Sequence, residues 1–430
     1  WYNRVEINKS IIKLRQHGGG PVLMNFVASA TKTFGTDELP KTGVITLHGY
    51  VDEMPAMLNG RIAVFIGSHV QMSQSLQKAI DSFCKSRNAV VFCDHTSGYQ
   101  GKYQVNFTLV NGQLNFSNDL LDMDLLIHIG EVSGDTYTTK RLKPKAVWRV
   151  STDGEVRDLF KKLVRVFEMD EQYFFTQYTA QSTGDDTYIQ ACNKLFEEVS
   201  EQIHDFGFCN LYVAKKMASK LPTGCVIHFG IYNSLRTWNM FRLDPSIQAS
   251  CNVGGFGIDG ACSTLIGASL ADTNRLHFLC VGDLAFFYDL NAIGNRHVGN
   301  NVRIILINNG RGVEFRKKDH PGYRFGMDAD LYIAAAGHYG SQSTDLVKHY
   351  ATDLGFEYLK ASTKEEFEEV VDRFIIPTLT EKPMLLEIFP DYEDDVENLD
   401  HLRHAMPDNR GISQKLEDTA KSVAKRILNR

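Results

Sequence analysis

The sequence lacks the features of a membrane-spanning or nucleic-acid-binding protein. It contains no run of about 18 consecutive apolar residues, so we expect no membrane span. With 46 basic and 52 acidic residues, the formal net charge is −6, which argues against nucleic acid or an anionic membrane surface as a partner. Hydrophobic residues make up 43% of the chain and charged residues 23%, as in globular proteins. We therefore expect a soluble, cytoplasmic protein.

Cysteine pairs are missing as well. The eight cysteines are scattered, and none belongs to a Cys-x-x-Cys motif. Most lie in apolar segments such as residues 91–93 and 278–280. This distribution predicts buried free thiols in a reducing compartment, because zinc sites use closely spaced pairs and disulfide frameworks occur in oxidising compartments.

A Gly-x-Gly-x-x-Gly motif that opens a helix, the fingerprint of dinucleotide binding, is absent too. The first half of the chain instead alternates apolar strands with helices. Strands are predicted at residues 61–67, 89–94, 125–131 and 146–151, with a helix at 74–86. Strands separated by helical stretches are typical of a parallel α/β sheet.

The remainder of the chain is predicted to contain a helical connector and a second sheet. The connector covers residues 155–202, whose charges indicate a solvated helix face. Later strands are predicted at 331–335 and 384–389. The acidic run 391–395 is predicted to be a surface turn, and residues 412–428 an amphipathic helix.

The most informative feature is a pair of polar residues that each follow an apolar strand. Asp283 follows residues 276–281, and Asn309 follows residues 302–307. Neighbouring parallel strands place their carboxyl ends side by side, so one carboxylate and one amide oxygen would face the same hard cation. Mg²⁺ prefers such ligands and often shares them with a diphosphate, which a helix N-terminus also attracts. Either residue alone is typical of a turn or a cap, but the pair predicts a metal-bridged diphosphate cofactor.

Three ordered motifs resemble the thiamine diphosphate-dependent enzymes, in the branch that contains the menaquinone-pathway carboligase and acetolactate synthase-like enzymes. The motifs are Asn233-Ser234-Leu235, the glycine-rich block 252–268, and Gly282-Asp283 with Asn308-Asn309. The resemblance implies two doubly wound parallel-sheet domains of the α/β class, a middle domain and a diphosphate-binding domain. It also implies the cofactors thiamine diphosphate and Mg²⁺, a 2-oxo acid substrate that is decarboxylated or carboligated, and a homodimer or homotetramer.

The resemblance implies a role for individual residues. Asp283, Asn309 and the backbone carbonyl of Arg311 would bind Mg²⁺. Ile258 would be the apolar wedge that bends the cofactor, and Phe315 would line the substrate side, although ordinary core packing is the alternative for both. Further cofactor contacts are implied for Asn233, Ser234, Gly257, Gly282 and Leu284.

The sequence also departs from the family pattern. The menaquinone-pathway enzyme has arginines where this chain has Trp238 and Val253, and carboxylate recognition depends on such guanidinium groups. Arg236 is a candidate replacement, with a solvated arginine as the alternative. His338 is a candidate for proton transfer, with a structural histidine as the alternative. We therefore expect a different 2-oxo acid as the substrate.

Most of the family's pyrimidine-binding domain, which carries the activating glutamate, is absent from the predicted organisation. Residues 7–17 are predicted to form its last helix and residues 21–26 its last strand, while Glu6 and Glu38 match no activating context, so no catalytic glutamate is assignable. The sequence is then either a fragment or a subunit whose partner chain supplies that domain. The chain alone is expected to bind the cofactor weakly and to be inactive. The predicted division is a remnant and linker at 1–40, the middle domain at 41–170, a helical connector at 171–204, the diphosphate-binding domain at 205–400 and a helical tail at 401–430.

Two other functions remain open on the sequence alone. A non-catalytic protein that keeps the fold would explain the missing domain, since a fold does not establish a chemistry, but it leaves the Asp283 and Asn309 pair unexplained. A nucleotide-binding oxidoreductase built on residues 44–165 would require binding of NAD(P) or FAD. The missing glycine fingerprint disfavours it.

Overall fold

The fold is built on two parallel β-sheets. The computed structural model describes residues 2–25, 43–181 and 184–411. All pairs of neighbouring strands in these residues are parallel. Parallel strands need crossover connections whose helices cover both sheet faces, which explains why the central strands are buried along their whole length. The predicted α/β class with two doubly wound sheets is confirmed.

The first sheet has seven strands. They are β1 (Thr46–His48), β2 (Ile62–Ile66), β3 (Val90–Cys93), β4 (Gln104–Val105), β5 (Asp122–Ile129), β6 (Lys143–Ser151) and β7 (Leu163–Glu168). Their order across the sheet is β1-β7-β6-β5-β2-β3-β4. The chain runs outward from β2 in one direction and from β5 in the other. The gap between β2 and β5 is therefore a topological switch point, where such folds usually open a crevice.

The second sheet has six strands. They are β8 (Val226–Phe229), β9 (Gln248–Cys251), β10 (His277–Gly282), β11 (Val302–Ile307), β12 (Glu357–Ala361) and β13 (Met384–Ile388). Their order is β12-β13-β11-β10-β8-β9, so the switch point lies between β8 and β10. Gly282 is paired with Ile307, which places the residues after β10 beside those after β11.

Helices connect the strands of both sheets. They are α1 (Tyr2–Arg15), α2 (Gln74–Arg87), α3 (Thr108–Gly112), α4 (Thr136–Thr139), α5 (Glu171–Tyr178), α6 (Thr187–Glu201), α7 (Asn210–Ala218), α8 (Asn233–Trp238), α9 (Ala261–Ala271), α10 (Asp283–Tyr288), α11 (Met327–Leu331), α12 (Leu346–Asp353), α13 (Lys364–Phe374) and α14 (Tyr392–Arg403). Side-chain caps fix several starts. Thr363 accepts a hydrogen bond from the Glu366 N–H at 3.2 Å, which satisfies a helix-start donor of α13.

Buried hydrogen bonds join loops of the first sheet to a segment of the second. Asn239, which follows α8, donates from Nδ2 to Asp135 Oδ2 at 3.1 Å and accepts from the His95 N–H at 3.2 Å. Burial raises the pKa of Asp135 to about 6. The His95 ring lies 2.9 Å from the Phe241 carbonyl oxygen. Residues after β3 and β5 are thus tied to the segment that follows α8.

Near the N-terminus the predicted helix is confirmed with different bounds, and the predicted strand is wrong. Helix α1 begins at Tyr2, five residues before the predicted start, and it buries Val5 and Ile12 while Ile7 and Ile11 stay exposed. Residues 19–25 form no strand. Val5 and Ile12 belong to the larger hydrophobic core, and this tertiary packing decides which face of α1 is buried. The apolar residues of the segment alone do not reveal that face.

Three further predictions fail because tertiary contacts decide the local structure. The segment predicted to be a helical connector contains β7, an inner strand of the first sheet. Residues 331–335, predicted to be a strand, are the end of α11 and a turn. The acidic run 391–395 caps and begins α14, with Asp391 as the N-cap that accepts from the Glu393 N–H at 2.7 Å.

Residues 26–42 and 412–430 lie outside the described residues, and with them Glu38 and the predicted C-terminal helix. The eight cysteines are all buried and free, as the sequence predicts. None of the helices in the described ranges is both long and apolar enough to span a bilayer.

Candidate functional site

A cavity of about 350 Å³ opens at the switch point between β8 and β10. Loops that follow β8, β10 and β11 form much of its wall, so three motifs that are far apart in the sequence meet at one place. Gly257, Arg236 and His338 are not among the residues that line it. The predicted site residues that do line it are Asn233, Ser234, Ile258, Gly282, Asp283, Leu284, Asn309, Arg311 and Phe315.

Asp283 is a buried carboxylate in the cavity wall, at the first position of α10. Its Oδ1 accepts from the Leu284 N–H at 2.9 Å, and its Oδ2 lies 2.8 Å from His338 Nε2. A Cβ placed on Gly282 would meet no atom within 4 Å, so this glycine borders open space. His338 contacts the carboxylate rather than the cavity, which suits a role in holding Asp283.

Asn309 is held by a second carboxylate. Its Nδ2 donates to Asp395 Oδ2 at 2.9 Å, and Asp395 Oδ1 accepts from the Asn210 N–H at 2.6 Å. A carboxylate can only accept, so the amide nitrogen faces Asp395 and the amide oxygen is left for another partner. Burial raises the pKa of Asp395 to about 6. The neighbouring Asn308 is held in the same way, donating to Glu387 Oε1 at 2.7 Å.

Arg311 contributes a backbone carbonyl and a side chain that is already paired. The carbonyl oxygen accepts from the Val313 N–H at 3.1 Å, which leaves one lone pair. The guanidinium donates to Asp330 Oδ2 at 3.0 Å and lies 3.6 Å from the ring centroid of Tyr392. Its positive charge is therefore balanced within the protein.

The loop after β8 is held in an unusual backbone conformation. Tyr232 has φ 66° and ψ −117°, a region that costs energy for a residue with a side chain. This turn starts α8 and brings Asn233 and the buried Ser234 to the cavity wall. The Gly230 N–H donates to the Cys280 carbonyl at 2.8 Å, which fixes the loop to β10.

The apolar part of the wall includes Ile258 and Phe315. Ile258 packs against both hydrophobic cores and also borders the cavity, so core packing and a cavity-facing role are compatible for this residue. The ring of Phe315 lies 5.2 Å from that of His320, edge to face. A Cβ on Gly257 would lie 2.3 Å from Asp259 Oδ1, the end of a side chain in the same turn.

Arg236 belongs to a buried ionic cluster beside the cavity. It forms an ion pair with Glu314 Oε1, and Lys317 Nζ donates to Glu314 Oε2 at 2.7 Å. Burial works against ionisation of Glu314, but Lys317 and Arg236 outweigh it and lower its pKa. The Arg236 guanidinium is also stacked on the Tyr232 ring at 5.2 Å. It is neither solvated nor directed at a substrate in this structure.

The donor set of the cavity fits a hard divalent cation with a diphosphate. Asp283 offers a carboxylate, Asn309 an amide oxygen and Arg311 a carbonyl oxygen, all of the kind that Mg²⁺ prefers. In the part of the chain that the structure describes, no group of three or more His, Cys, Asp or Glu side chains is arranged to hold a metal. A cation here would therefore be held by one carboxylate, one amide oxygen and one backbone oxygen, and the diphosphate would supply the remaining oxygens.

Comparison with known proteins agrees with this geometry, although no family model matches the chain. The 2-succinyl-5-enolpyruvyl-6-hydroxy-3-cyclohexene-1-carboxylate synthase of Phocaeicola vulgatus is 27% identical over 94% of this chain and 74% of its own length. The synthase of the same name from Bacteroides thetaiotaomicron is 28% identical over the same shares, and that of Christiangramia forsetii is 34% identical over 42% of this chain and 30% of its own length. The chain is therefore similar to these synthases over nearly its whole length, as its three motifs predicted.

The two positions at which the resemblance implies arginines hold apolar residues in this chain. Trp238 and Val253, which stand there, are both buried in the core and do not line the cavity. The Trp238 ring lies 5.6 Å from that of Phe229. These positions serve packing and supply no guanidinium group.

Sequence reasoning missed several residues of this site. Asp395 was assigned to a surface turn, and Glu314 and Asp330 received no role, yet each carboxylate holds a side chain in or beside the cavity wall. The Asp391 cap followed by an amphipathic stretch was the available signal for α14. Nothing local signals the pairings themselves, because the partners are far apart in the sequence.

Proposed function

We propose that this protein is a thiamine diphosphate- and Mg²⁺-dependent enzyme that decarboxylates a 2-oxo acid. The remaining carbon fragment is then either joined to an acceptor or protonated. The observation that carries the proposal is the meeting of the three sequence motifs in one cavity at the switch point of the second sheet. The relationship to the named synthases supports a carboligase-type reaction. The fold by itself would not, since folds host many chemistries.

In this proposal the chain binds and orients the cofactor. Asp283, Asn309 and the Arg311 carbonyl hold Mg²⁺, and Ile258 supports the bent cofactor. Thiamine diphosphate, when bound, supplies the electron sink that a side chain cannot provide. Gly282 keeps space for the diphosphate, since a Cβ there would project into the open region. The remaining cofactor contacts are proposed for Asn233, Ser234, Gly257 and Leu284.

We propose a monocarboxylic 2-oxo acid with an apolar substituent as the substrate. The two guanidinium groups nearest the cavity are already paired, Arg236 with Glu314 and Arg311 with Asp330. Phe315 adds an apolar surface to the wall. A second carboxylate would find no bidentate partner among these groups, and planar carboxylate recognition depends on one. The relatives are named for a product with several carboxyl groups, so the substrates are expected to differ.

We further propose that the activating glutamate comes from a pyrimidine-binding domain outside the described residues, in a homodimer or homotetramer located in the cytoplasm. The middle domain at 41–170 acts as a scaffold, joined through 171–204 to the diphosphate-binding domain at 205–400. Neither nucleic acid nor a membrane is a partner in this proposal, in keeping with the net charge of −6.

The test is a calorimetric titration of the naturally expressed protein with thiamine diphosphate, in Mg²⁺ and in EDTA. We expect binding that requires Mg²⁺ and that weakens by about 100-fold or more in Asp283→Ala, because a ligand is lost. Asp372→Ala, an exposed aspartate of α13, is the matched control and should bind as the wild type does. Binding that is absent, independent of Mg²⁺ or unchanged in Asp283→Ala would contradict the proposal.

The substrate proposal has its own measurement. Turnover is compared between monocarboxylic 2-oxo acids with aliphatic or aromatic substituents and dicarboxylic 2-oxo acids of similar length. We expect kcat/KM to be at least about 10-fold higher for the monocarboxylic acids, which corresponds to one lost charge-assisted contact. A preference for the dicarboxylic acids would contradict the substrate class while leaving the cofactor assignment intact.

A further inference from the structure

Asp395 has no role in the proposed binding of the cation, yet it touches the residue that does. Its Oδ2 accepts from Asn309 Nδ2 at 2.9 Å, and its Oδ1 accepts from the Asn210 N–H at 2.6 Å. We infer that Asp395 is a positioning residue, which orients the Asn309 side chain so that its oxygen and not its nitrogen is presented to the cation. This inference rests on the proposed function.

The need for such a residue follows from the shape of an amide. The oxygen and the NH₂ group of asparagine occupy nearly the same space, so sterics alone do not decide which one faces a cavity. An NH₂ group directed at a cation would be repelled, and the ligand would be lost. A carboxylate beside the amide decides the orientation because it accepts hydrogen bonds and cannot donate them.

The scaffold around Asp395 holds it in place from two sides. Helix α14 begins at the Asp391 cap, and Asn398 on the same helix accepts from the Gly207 N–H at 3.1 Å. Asp395 and Asn398 therefore fix α14 against the start of α7. Beside Asp395 is a small cavity of about 30 Å³, which Asn309 also lines. The orientation of Asn309 is thus determined by the packing of α14, far along the chain.

A neighbouring pair provides an internal comparison. Asn308 donates to Glu387 Oε1 at 2.7 Å, so it too is an amide held by a carboxylate. Asn308 does not line the 350 Å³ cavity, whereas Asn309 does. Loss of the carboxylate charge at Glu387 should therefore leave the amide that faces the cation in place.

The experiment exchanges the donor and acceptor between the two positions. In Asp395→Asn the only side-chain oxygen accepts from the Asn210 N–H, so the new NH₂ group faces Asn309. Two NH₂ groups cannot bond to each other, so the Asn309 amide either flips or loses its fixed orientation. In the double variant Asp395→Asn with Asn309→Asp, the new NH₂ group donates to the new carboxylate, whose other oxygen faces the cation. The exchange keeps every hydrogen bond and the total charge. Glu387→Gln is the control for loss of a nearby charge.

Mg²⁺-dependent binding of thiamine diphosphate is measured by calorimetry for each variant, with thermal unfolding as the check on folding. We expect binding about 10-fold weaker or more in Asp395→Asn, recovery to within about 3-fold of wild type in the double variant, and a change below about 3-fold in Glu387→Gln. A merely structural role for Asp395 predicts no rescue by the second substitution.

Each outcome decides the inference. Wild-type protein without Mg²⁺-dependent binding would overturn the proposed function and this inference together. Wild-type binding that persists in Asp395→Asn, or that falls equally in Glu387→Gln, would overturn the inference alone. If Asp395→Asn does not fold, the double variant decides, because it retains the complete set of hydrogen bonds. A double variant that does not fold, or that folds and lacks Mg²⁺-dependent binding, contradicts the inference.

Discussion

Both sheets are parallel and doubly wound, although their strand orders differ, and the 350 Å³ cavity opens at the switch point of the second. In the first sheet, a Cβ on Gly67 would lie 1.7 Å from the Glu131 carbonyl oxygen, so the chain segments after β2 and β5 touch backbone to backbone. The Glu131 N–H also donates to the Ser68 carbonyl at 2.8 Å. In the second sheet, a Cβ on Gly282 would meet nothing within 4 Å. Doubly wound topology creates the place for a ligand, and the loop backbone decides whether it is open.

The aspartates that follow β3 in the first sheet and β10 in the second also differ in their surroundings. Asp94, which follows β3, accepts from the Thr96 N–H at 2.7 Å and the Thr96 hydroxyl at 2.6 Å, and its other oxygen accepts from Ser133. Asp283, which follows β10, borders the cavity and meets only one backbone donor and one histidine. The first carboxylate completes a turn, whereas the second is positioned beside open space. This contrast favours a scaffold role for the first sheet over nucleotide binding.

The comparison of the two glycines gives the largest expected effect. Gly67→Ala should destabilise the fold by about 3 kcal/mol or more, because the new methyl group collides with a backbone atom that cannot rotate away. Gly282→Ala should leave the free energy of unfolding within about 1 kcal/mol of wild type, because its φ of −80° suits alanine and the space is free. Urea unfolding of the two variants measures both values.

The same pair separates stability from binding. Gly282→Ala should weaken Mg²⁺-dependent binding of thiamine diphosphate, since its methyl group enters the space proposed for the diphosphate. If Gly67→Ala proves as stable as wild type, the close backbone contact between the segments after β2 and β5 is contradicted. If Gly282→Ala unfolds the protein, the open space beside Gly282 is contradicted.

The sequence predicted the fold class and the site loops well, because both depend on local signals. Buried parallel strands appear as short apolar runs, and Gly282-Asp283 and Asn309 follow such runs directly. The strand β7 was missed because its half-exposed residues resemble the charged helices around it. Asp395 was missed for another reason. Its importance comes from contacts with Asn210 and Asn309, and no local pattern reports a contact between residues so far apart.

Each sheet contains a buried histidine whose lowered pKa should make the stability of the protein depend on pH. His228 in β8 bonds to Ser250 Oγ at 2.8 Å, and burial lowers its pKa from 6.5 to about 4. His128 in β5 is also buried, and burial holds its pKa well below 6.5. Between pH 6.5 and 4 the unfolded state binds more protons than the folded state at His228, so stability falls as the pH drops through this window. The loss at pH 4.5 amounts to about 2.5 kcal/mol for His228 alone.

The measurement compares urea unfolding of wild type and His228→Gln at pH 7.5 and pH 4.5. Glutamine can keep a hydrogen bond to Ser250 without titrating, so the variant should lose less stability on acidification by about 2.5 kcal/mol. His128→Gln should lower the acid sensitivity of the first sheet in the same way. Parallel pH curves for wild type and His228→Gln would show that His228 keeps an ordinary pKa in the folded protein.

Helix caps provide the smallest expected effect and a direct comparison between the sheets. Ser73 caps α2 beside the first sheet and Thr363 caps α13 beside the second, and each accepts from the backbone N–H three residues later at 3.2 Å. Only the second cap is reciprocated, because Glu366 Oε2 accepts from the Ser362 N–H at 2.6 Å. Replacement of either cap by alanine should destabilise the protein by about 1 kcal/mol.

The reciprocal bond should make the second cap less sensitive to the loss of its hydroxyl. In Thr363→Ala, Glu366 still accepts from the Ser362 N–H and holds the chain that enters the helix, so this variant should cost a few tenths of a kcal/mol less than Ser73→Ala. The double variant Thr363→Ala with Glu366→Ala should remove both bonds and cost more than either single variant. Thermal unfolding resolves these differences. Equal costs for Ser73→Ala, Thr363→Ala and the double variant would mean that the Glu366 bond adds nothing to the second sheet's helix.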